Sequence, residues 1–100
     1  MSNYGSTTLL IAANNGKDAV ATQLLQAKAN PNAADNDGYT PLHVAAYHSH
    51  AMVVDVLLQA NANPAAVNKA GKTPAQRAEQ RGHTELAARL RKAASGAASV

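Results

Sequence analysis

The sequence contains no cysteine, phenylalanine or tryptophan, and its only tyrosines are Tyr4, Tyr39 and Tyr47. The absence of cysteine excludes disulfides and thiolate metal sites. Because alanine dominates the apolar residues, any core must be built from small side chains, which favours helices packed close together.

Long apolar runs are also missing. No stretch approaches the roughly 20 apolar residues that cross a bilayer, and residues 1–6 lack a basic segment followed by an apolar one. We therefore expect a cytoplasmic protein with no membrane partner. A chain of 100 residues can form one domain with a modest core.

The net charge of +3 arises at the carboxyl-terminal end. Residues 1–70 carry one more acidic than basic group, whereas residues 71–100 carry six basic groups against Glu79 and Glu85. The six basic residues are Lys72, Arg77, Arg81, Arg89, Arg91 and Lys92. They are either a patch for nucleic acid or an acidic ligand, or a solvated end. No aromatic residues are interleaved among them for base stacking.

A repeat of 33 residues organises the chain. Gly5, Gly38 and Gly71 recur at this spacing, and each is followed at the second position by threonine. The matches continue with Leu9 and Leu42, Ala12-Ala13 and Ala45-Ala46, Leu24-Leu25 and Leu57-Leu58, and Asn30-Pro31 and Asn63-Pro64. We predict a repeat domain over residues 1–94, with units at about 2–34, 35–67 and 68–92, and a flexible tail at 95–100.

Each unit is predicted to contain two short helices. In the middle unit, Thr40 is suited to an N-cap and Pro41 to the first helical position. A second helix is expected from near Ala51, with Val53, Val54, Leu57 and Leu58 as its apolar face. Neither helix could bury its apolar stripe alone, so we expect the units to stack as an all-α solenoid.

Residues 38–46, Gly-Tyr-Thr-Pro-Leu-His-Val-Ala-Ala, resemble the signature of the ankyrin repeat family. The resemblance covers about residues 2–92 and implies stacked helix-turn-helix units joined by β-turn loops. In the third unit, Gln76, Arg77 and Glu79 replace apolar or small residues of the first helix. Polar residues there suit a terminal repeat, which no further unit covers.

Some positions depart from the family pattern or carry a family feature. Ser49 stands between two helices where the family prefers glycine, a position that requires a positive φ. Lys28 and Asn61 end helices where glycine is again usual. Asn32 matches an asparagine that is hydroxylated in some family members, and loop hydrogen bonding is its simpler role.

One interpretation of the four histidines is a metal site or acid–base chemistry. Against it, the resemblance implies that His43 bridges neighbouring loops, and His50 and His83 share one repeat position, so that only His48 is off-pattern. The carboxylates are scattered, and no nucleophile is paired with a base. We expect no enzymatic activity, no metal site and no cofactor.

The resemblance implies a non-catalytic module that binds a partner protein through its concave face and turn tips. The predicted partner-binding residues are Tyr4, Ser6, Asn14, Asn15, Asn36, Asp37, Tyr39, Tyr47, His48, Lys72, Gln80 and Arg81. Tyrosine is common at binding hot spots, although exposed positions also acquire tyrosine by chance. We expect a monomer. The alternatives are nucleic-acid or acidic-ligand binding through the basic carboxyl-terminal repeat and, third, self-association.

Overall fold

The computed structural model describes the backbone of residues 4–96 and the side chains of residues 8–95. This part of the chain forms helices and no strands, and none of its helices is long and apolar enough to cross a membrane. The helices are α1 (Tyr4–Asn15), α2 (Asp18–Gln26), α3 (Pro41–Tyr47), α4 (Ala51–Gln59), α5 (Pro74–Gln80) and α6 (Thr84–Gly96). The prediction of an all-α fold built from helix pairs is confirmed.

The carboxyl-terminal boundary differs from the prediction. Ser95 and Gly96, assigned to a flexible tail, belong to α6, which also continues past the predicted end of the third unit at residue 92. Helix-compatible residues such as Ala93 and Ala94 extend α6 through this region. The rest of the predicted tail, residues 97–100, lies outside the described residues.

The first helices of the second and third units begin with matching caps. The Thr40 side chain accepts a hydrogen bond from the backbone N–H of His43, and the Thr73 side chain accepts one from the N–H of Gln76. In each case the side chain of the third helical residue accepts a hydrogen bond from the backbone N–H of the capping threonine. This reciprocal pairing satisfies donors that a helix start otherwise leaves free.

The helices form two layers, with α1, α3 and α5 in one and α2, α4 and α6 in the other. Contact between α3 and α5 is extensive, whereas α4 and α6 touch each other sparsely. Buried alanines on the first helices permit this close approach, namely Ala12, Ala13, Ala45, Ala46, Ala75 and Ala78. A stack that is tighter on one side curves toward that side, so the first helices line the concave face.

The polar residues of α5 do not share one environment. Gln76 and Glu79 are exposed, as expected for a terminal repeat that nothing further covers. Arg77 is partly buried instead, because its side chain extends back over the second unit rather than toward the free end of the stack. The interpretation of Arg77 as an end-capping polar residue is therefore wrong.

The positions that depart from the family pattern have the predicted backbone conformation. Ser49, Lys28 and Asn61 have φ values of 60°, 76° and 70°, which confirms that they adopt the left-handed conformation. The Asn32 side chain accepts a hydrogen bond of 2.7 Å from the backbone N–H of Asn63, so its loop-bridging role is also confirmed.

Replacing Ser49 with glycine is expected to stabilise the protein, because a residue with a Cβ is strained at positive φ by about 1 kcal/mol. For a domain of this size that corresponds to a melting temperature raised by roughly 4–8 °C. Thermal and urea unfolding followed by circular dichroism measure both quantities.

The reciprocal variant Gly82→Ser is the matched control. Gly82 holds the same repeat position at φ 81°, and a Cβ added there would meet no atom within 4 Å, so the variant adds backbone strain alone. It should lower the melting temperature by a similar amount. An unchanged or lower value for Ser49→Gly would contradict the strain argument.

Candidate functional site

The guanidinium of Arg77 lies between two tyrosines on the concave face. Its central carbon is 4.7 Å from the centroid of the Tyr39 ring and 4.1 Å from that of the Tyr47 ring. Tyr39 lies just before α3 and Tyr47 ends it, so the two rings flank the arginine that α5 presents. Both rings are partly buried, and neither belongs to the core. Contacts of this kind orient a planar cation against aromatic faces.

Arg81 reinforces the same arrangement. It lies four residues after Arg77, a spacing that brings two side chains to one side of a helix end. Its Nη1 donates a hydrogen bond of 3.0 Å to the Tyr47 hydroxyl, and its central carbon is 4.8 Å from the Tyr47 ring centroid. This hydrogen bond and the accompanying positive charge lower the pKa of Tyr47.

His48 extends the group beyond the end of α3. Its ring meets that of Tyr47 edge-on at 5.2 Å and lies 5.8 Å from the ring of His50. Partial burial is the main cause that lowers the pKa of His48, followed by the positive charges of His50, Arg81, Arg77 and His83. We call Tyr39, Tyr47, His48, Arg77 and Arg81 the tyrosine–arginine cluster.

The buried side chain of His43 contacts the cluster through the ring of Tyr39. The backbone N–H of Thr40 donates to Nδ1 at 3.1 Å, so Nε2 carries the proton and donates it to the carbonyl of Lys72 at 2.7 Å. This bond ties the second unit to the loop before α5, which confirms the predicted bridging role. The Tyr39 ring packs edge-on against His43 at 6.0 Å. Burial lowers the pKa of His43, so the neutral ring is favoured.

His50 and His83 have the same contact in successive units. The Nε2 of His50 donates to the carbonyl of Asn14, and that of His83 donates to the carbonyl of Tyr47, each at 3.1 Å. Each bond connects the start of one unit's second helix to the end of the first helix of the preceding unit. Over residues 4–96, no group of three histidine or carboxylate side chains is arranged to hold a metal ion.

The loop tips place Tyr39 through backbone hydrogen bonds. A carboxylate oxygen of Asp35 accepts from the N–H groups of Asp37 and Tyr39, each at 2.9 Å. Asn68 repeats this geometry one unit later, and the N–H of Lys69 donates to the carbonyl of Asp37 at 3.0 Å. Side chains that bond their own following backbone in this way stabilise turns.

The predicted binding residues fall into three groups. Tyr39, Tyr47, His48, Gln80 and Arg81 come together around Arg77, whose Nη1 donates to Gln80 at 3.1 Å. Outside that group, Asn14 and Asn15 end α1, while Asn36, Asp37 and Lys72 lie in the loops before α3 and α5. The side chains of Tyr4 and Ser6, in the first turns of α1, lie outside the described residues.

Arg77 is the residue of the cluster that the predicted set omits. The four-residue spacing from Arg81 was the available signal, since it places both cations near one helix end. The sequence pattern instead assigns Arg77 to the polar residues of a terminal repeat and to the basic residues of the third unit. Two of them are instead paired with carboxylates, Arg89 with Asp55 and Arg91 with Glu79.

Comparison with known proteins agrees with the fold of stacked helix pairs. A sequence model of the family described as ankyrin repeats, in three copies, matches residues 9–98. No curated protein matches the chain.

The stability of the protein is expected to fall as the pH drops through about 6.5, the usual pKa of histidine, because burial holds the pKa of His43 below that value. The unfolded chain then takes up a proton that the folded chain resists, and protonated Nδ1 can no longer accept from Thr40. In His43→Gln, which copies Gln76 of the third unit, the free energy of unfolding should be lower at pH 7 but less dependent on pH. Urea unfolding between pH 5 and pH 7.5 measures this.

His48→Gln serves as the control for the second histidine with a lowered pKa. Its side chain is exposed, so most of the pH dependence should persist in this variant. Equal pH dependence in wild type and His43→Gln would show that another group is responsible.

Proposed function

The chain belongs to the ankyrin repeat family, and we propose that it binds a partner protein through the concave face formed by α3, α5 and the loop tips before them. Ankyrin repeats are generally protein–protein interaction modules and are typically non-catalytic. The residues proposed to carry the contact are those of the tyrosine–arginine cluster, with Gln80 beside them.

The observation that carries this proposal is the position of Arg77 between Tyr39 and Tyr47. Tyrosine and arginine are enriched among the residues that contribute most to protein interfaces. Here each holds the other in place before any partner arrives, so less side-chain freedom is lost on binding. The cluster therefore offers a large, ordered and amphipathic surface on one side of the stack.

The histidines support binding over catalysis. His43, His50 and His83 each donate a ring N–H to a backbone carbonyl of a neighbouring unit. A ring engaged in this way holds repeats in register and has no substrate-facing role. The ion pairs of Arg89 and Arg91 likewise weigh against a continuous basic surface for nucleic acid.

We also propose that the protein is a cytoplasmic monomer. Gln76 and Glu79 are exposed at the carboxyl-terminal end of the stack, where polar side chains disfavour packing against a second copy. Sedimentation at working concentration measures the oligomeric state.

The variant Tyr39→Ala/Tyr47→Ala is expected to keep its helical circular dichroism and to bind its partner at least about tenfold more weakly, a loss of about 1.4 kcal/mol. The immobilised protein is used to isolate partners from an extract of the cells that make it. The dissociation constant of each purified partner is then measured for wild type and variant.

Val20→Ala/Met52→Ala is the matched control, because both side chains are exposed apolar groups on second helices, at 40% and 62%. It should bind as wild type does. Undiminished binding by the tyrosine variant, or an equal loss in the control, would remove the cluster from the interface.

A further inference from the structure

We propose that the partner segment seated on the tyrosine–arginine cluster is acidic, with aspartate or glutamate carboxylates that pair with Arg77 and Arg81. This inference rests on the proposed function and adds the chemistry of the partner. It follows from a difference among the arginines of the third unit: two are paired with carboxylates and two are not.

Arg77 and Arg81 have no carboxylate partner among the described residues, in contrast to Arg89 and Arg91. Their side chains donate hydrogen bonds to neutral oxygens, namely the side-chain carbonyl of Gln80 and the hydroxyl of Tyr47. A guanidinium has five N–H donors, so most of those on the exposed Arg81 are left for another acceptor. The Nε of Arg77 is buried without a hydrogen bond, which leaves this cation incompletely paired.

The neighbouring carboxylates are already engaged. Glu79 pairs with Arg91 on the far side of α5, and Asp35 uses a carboxylate oxygen to hold the backbone of its own loop. With no carboxylate paired to Arg77 or Arg81 among the described residues, the cluster is a site of positive potential. Burial is the first cause of the lowered pKa of His48, and the positive charges of His50, Arg81, Arg77 and His83 lower that pKa further, in agreement with this potential. A carboxylate-bearing segment would complement that potential.

The tyrosine faces set the geometry of the contact. The guanidinium of Arg77, whose donors form a planar fork, lies over the rings of Tyr39 and Tyr47, and these contacts restrict its rotation. Carboxylates bind such a fork with two parallel hydrogen bonds. Orientation by the rings therefore favours an acidic side chain that approaches the edge of the cation.

The same contacts disfavour nucleic acid as the occupant. Single-stranded nucleic acids bind where a cationic groove follows the backbone and aromatic faces are open for base stacking. Here guanidinium groups lie over the rings of Tyr39 and Tyr47. Two cations of α6 that could extend a groove, Arg89 and Arg91, are held by Asp55 and Glu79.

The test uses the full chain and three probes: an acidic dodecapeptide rich in glutamate and aspartate, its glutamine and asparagine counterpart, and an oligothymidine of the same length. Nuclear magnetic resonance titration follows the amide signals of α3 and α5 and the ring signals of His48. We expect the acidic peptide to bind at least about tenfold more tightly than its neutral counterpart, with an affinity that falls as salt increases. Bound acidic peptide should also raise the pKa of His48.

Two variants with equal loss of charge locate the contact. Arg77→Gln/Arg81→Gln should weaken binding of the acidic peptide by about tenfold, whereas Arg89→Gln/Arg91→Gln should change it by less than about twofold. Because Arg77 is partly buried, Arg81→Gln alone repeats the measurement at an exposed residue and leaves Arg77 in its place between the tyrosine rings.

Three results would overturn the inference: similar affinity for the acidic and neutral peptides, equal loss in the two arginine variants, or tighter binding of the oligothymidine. If one of these occurs while Tyr39→Ala/Tyr47→Ala still loses the natural partner, the proposed function stands and only the acidic chemistry is wrong. If the tyrosine variant retains its partner, the proposed function fails as well.

Discussion

The close packing of the first helices is the constraint on which the other features depend. α3 and α5 approach each other because alanine side chains fill their shared interface. A larger residue at Ala45, Ala46, Ala75 or Ala78 would push the helices apart, since a close-packed interior accommodates extra volume only by moving backbone. The short separation is also what brings Arg77 and Arg81 within reach of Tyr39 and Tyr47. Core packing and the candidate binding face are thus set by one interface.

Polar contacts then fix the register of the stack. His43 binds the loop before α5, His50 and His83 bind the ends of preceding first helices, and Asn32 accepts a backbone hydrogen bond from the next loop. Each of these bonds gives a backbone group at a repeat junction a side-chain partner, and the carbonyl of Lys72 accepts from the N–H of Asn68 as well. Apolar packing holds neighbouring units together without direction, whereas these bonds specify how the units are aligned.

Charge is distributed according to the same geometry. On α6, Arg89 and Arg91 face carboxylates of the two preceding helices and are neutralised locally. On α5 and just beyond it, Arg77 and Arg81 face aromatic rings, which hold a cation in place without cancelling its charge. The unpaired guanidinium charges of the third unit therefore lie beside the two tyrosines, on the proposed binding surface.

The sequence alone determined what depends on neighbours in the chain. The 33-residue period, the threonine caps and the left-handed turns at Lys28, Ser49 and Asn61 are local, because each follows from the conformational preferences of a few adjacent residues. The helical content of Ser95 and Gly96 was missed, since helix ends are weakly specified by composition. Only the tertiary structure decided that Arg77 lies between Tyr39 and Tyr47 and which arginines meet carboxylates. Apart from Arg91 and Glu79, which are 12 positions apart, those contacts join residues about 30 or more positions apart, and their distances depend on how tightly the units stack.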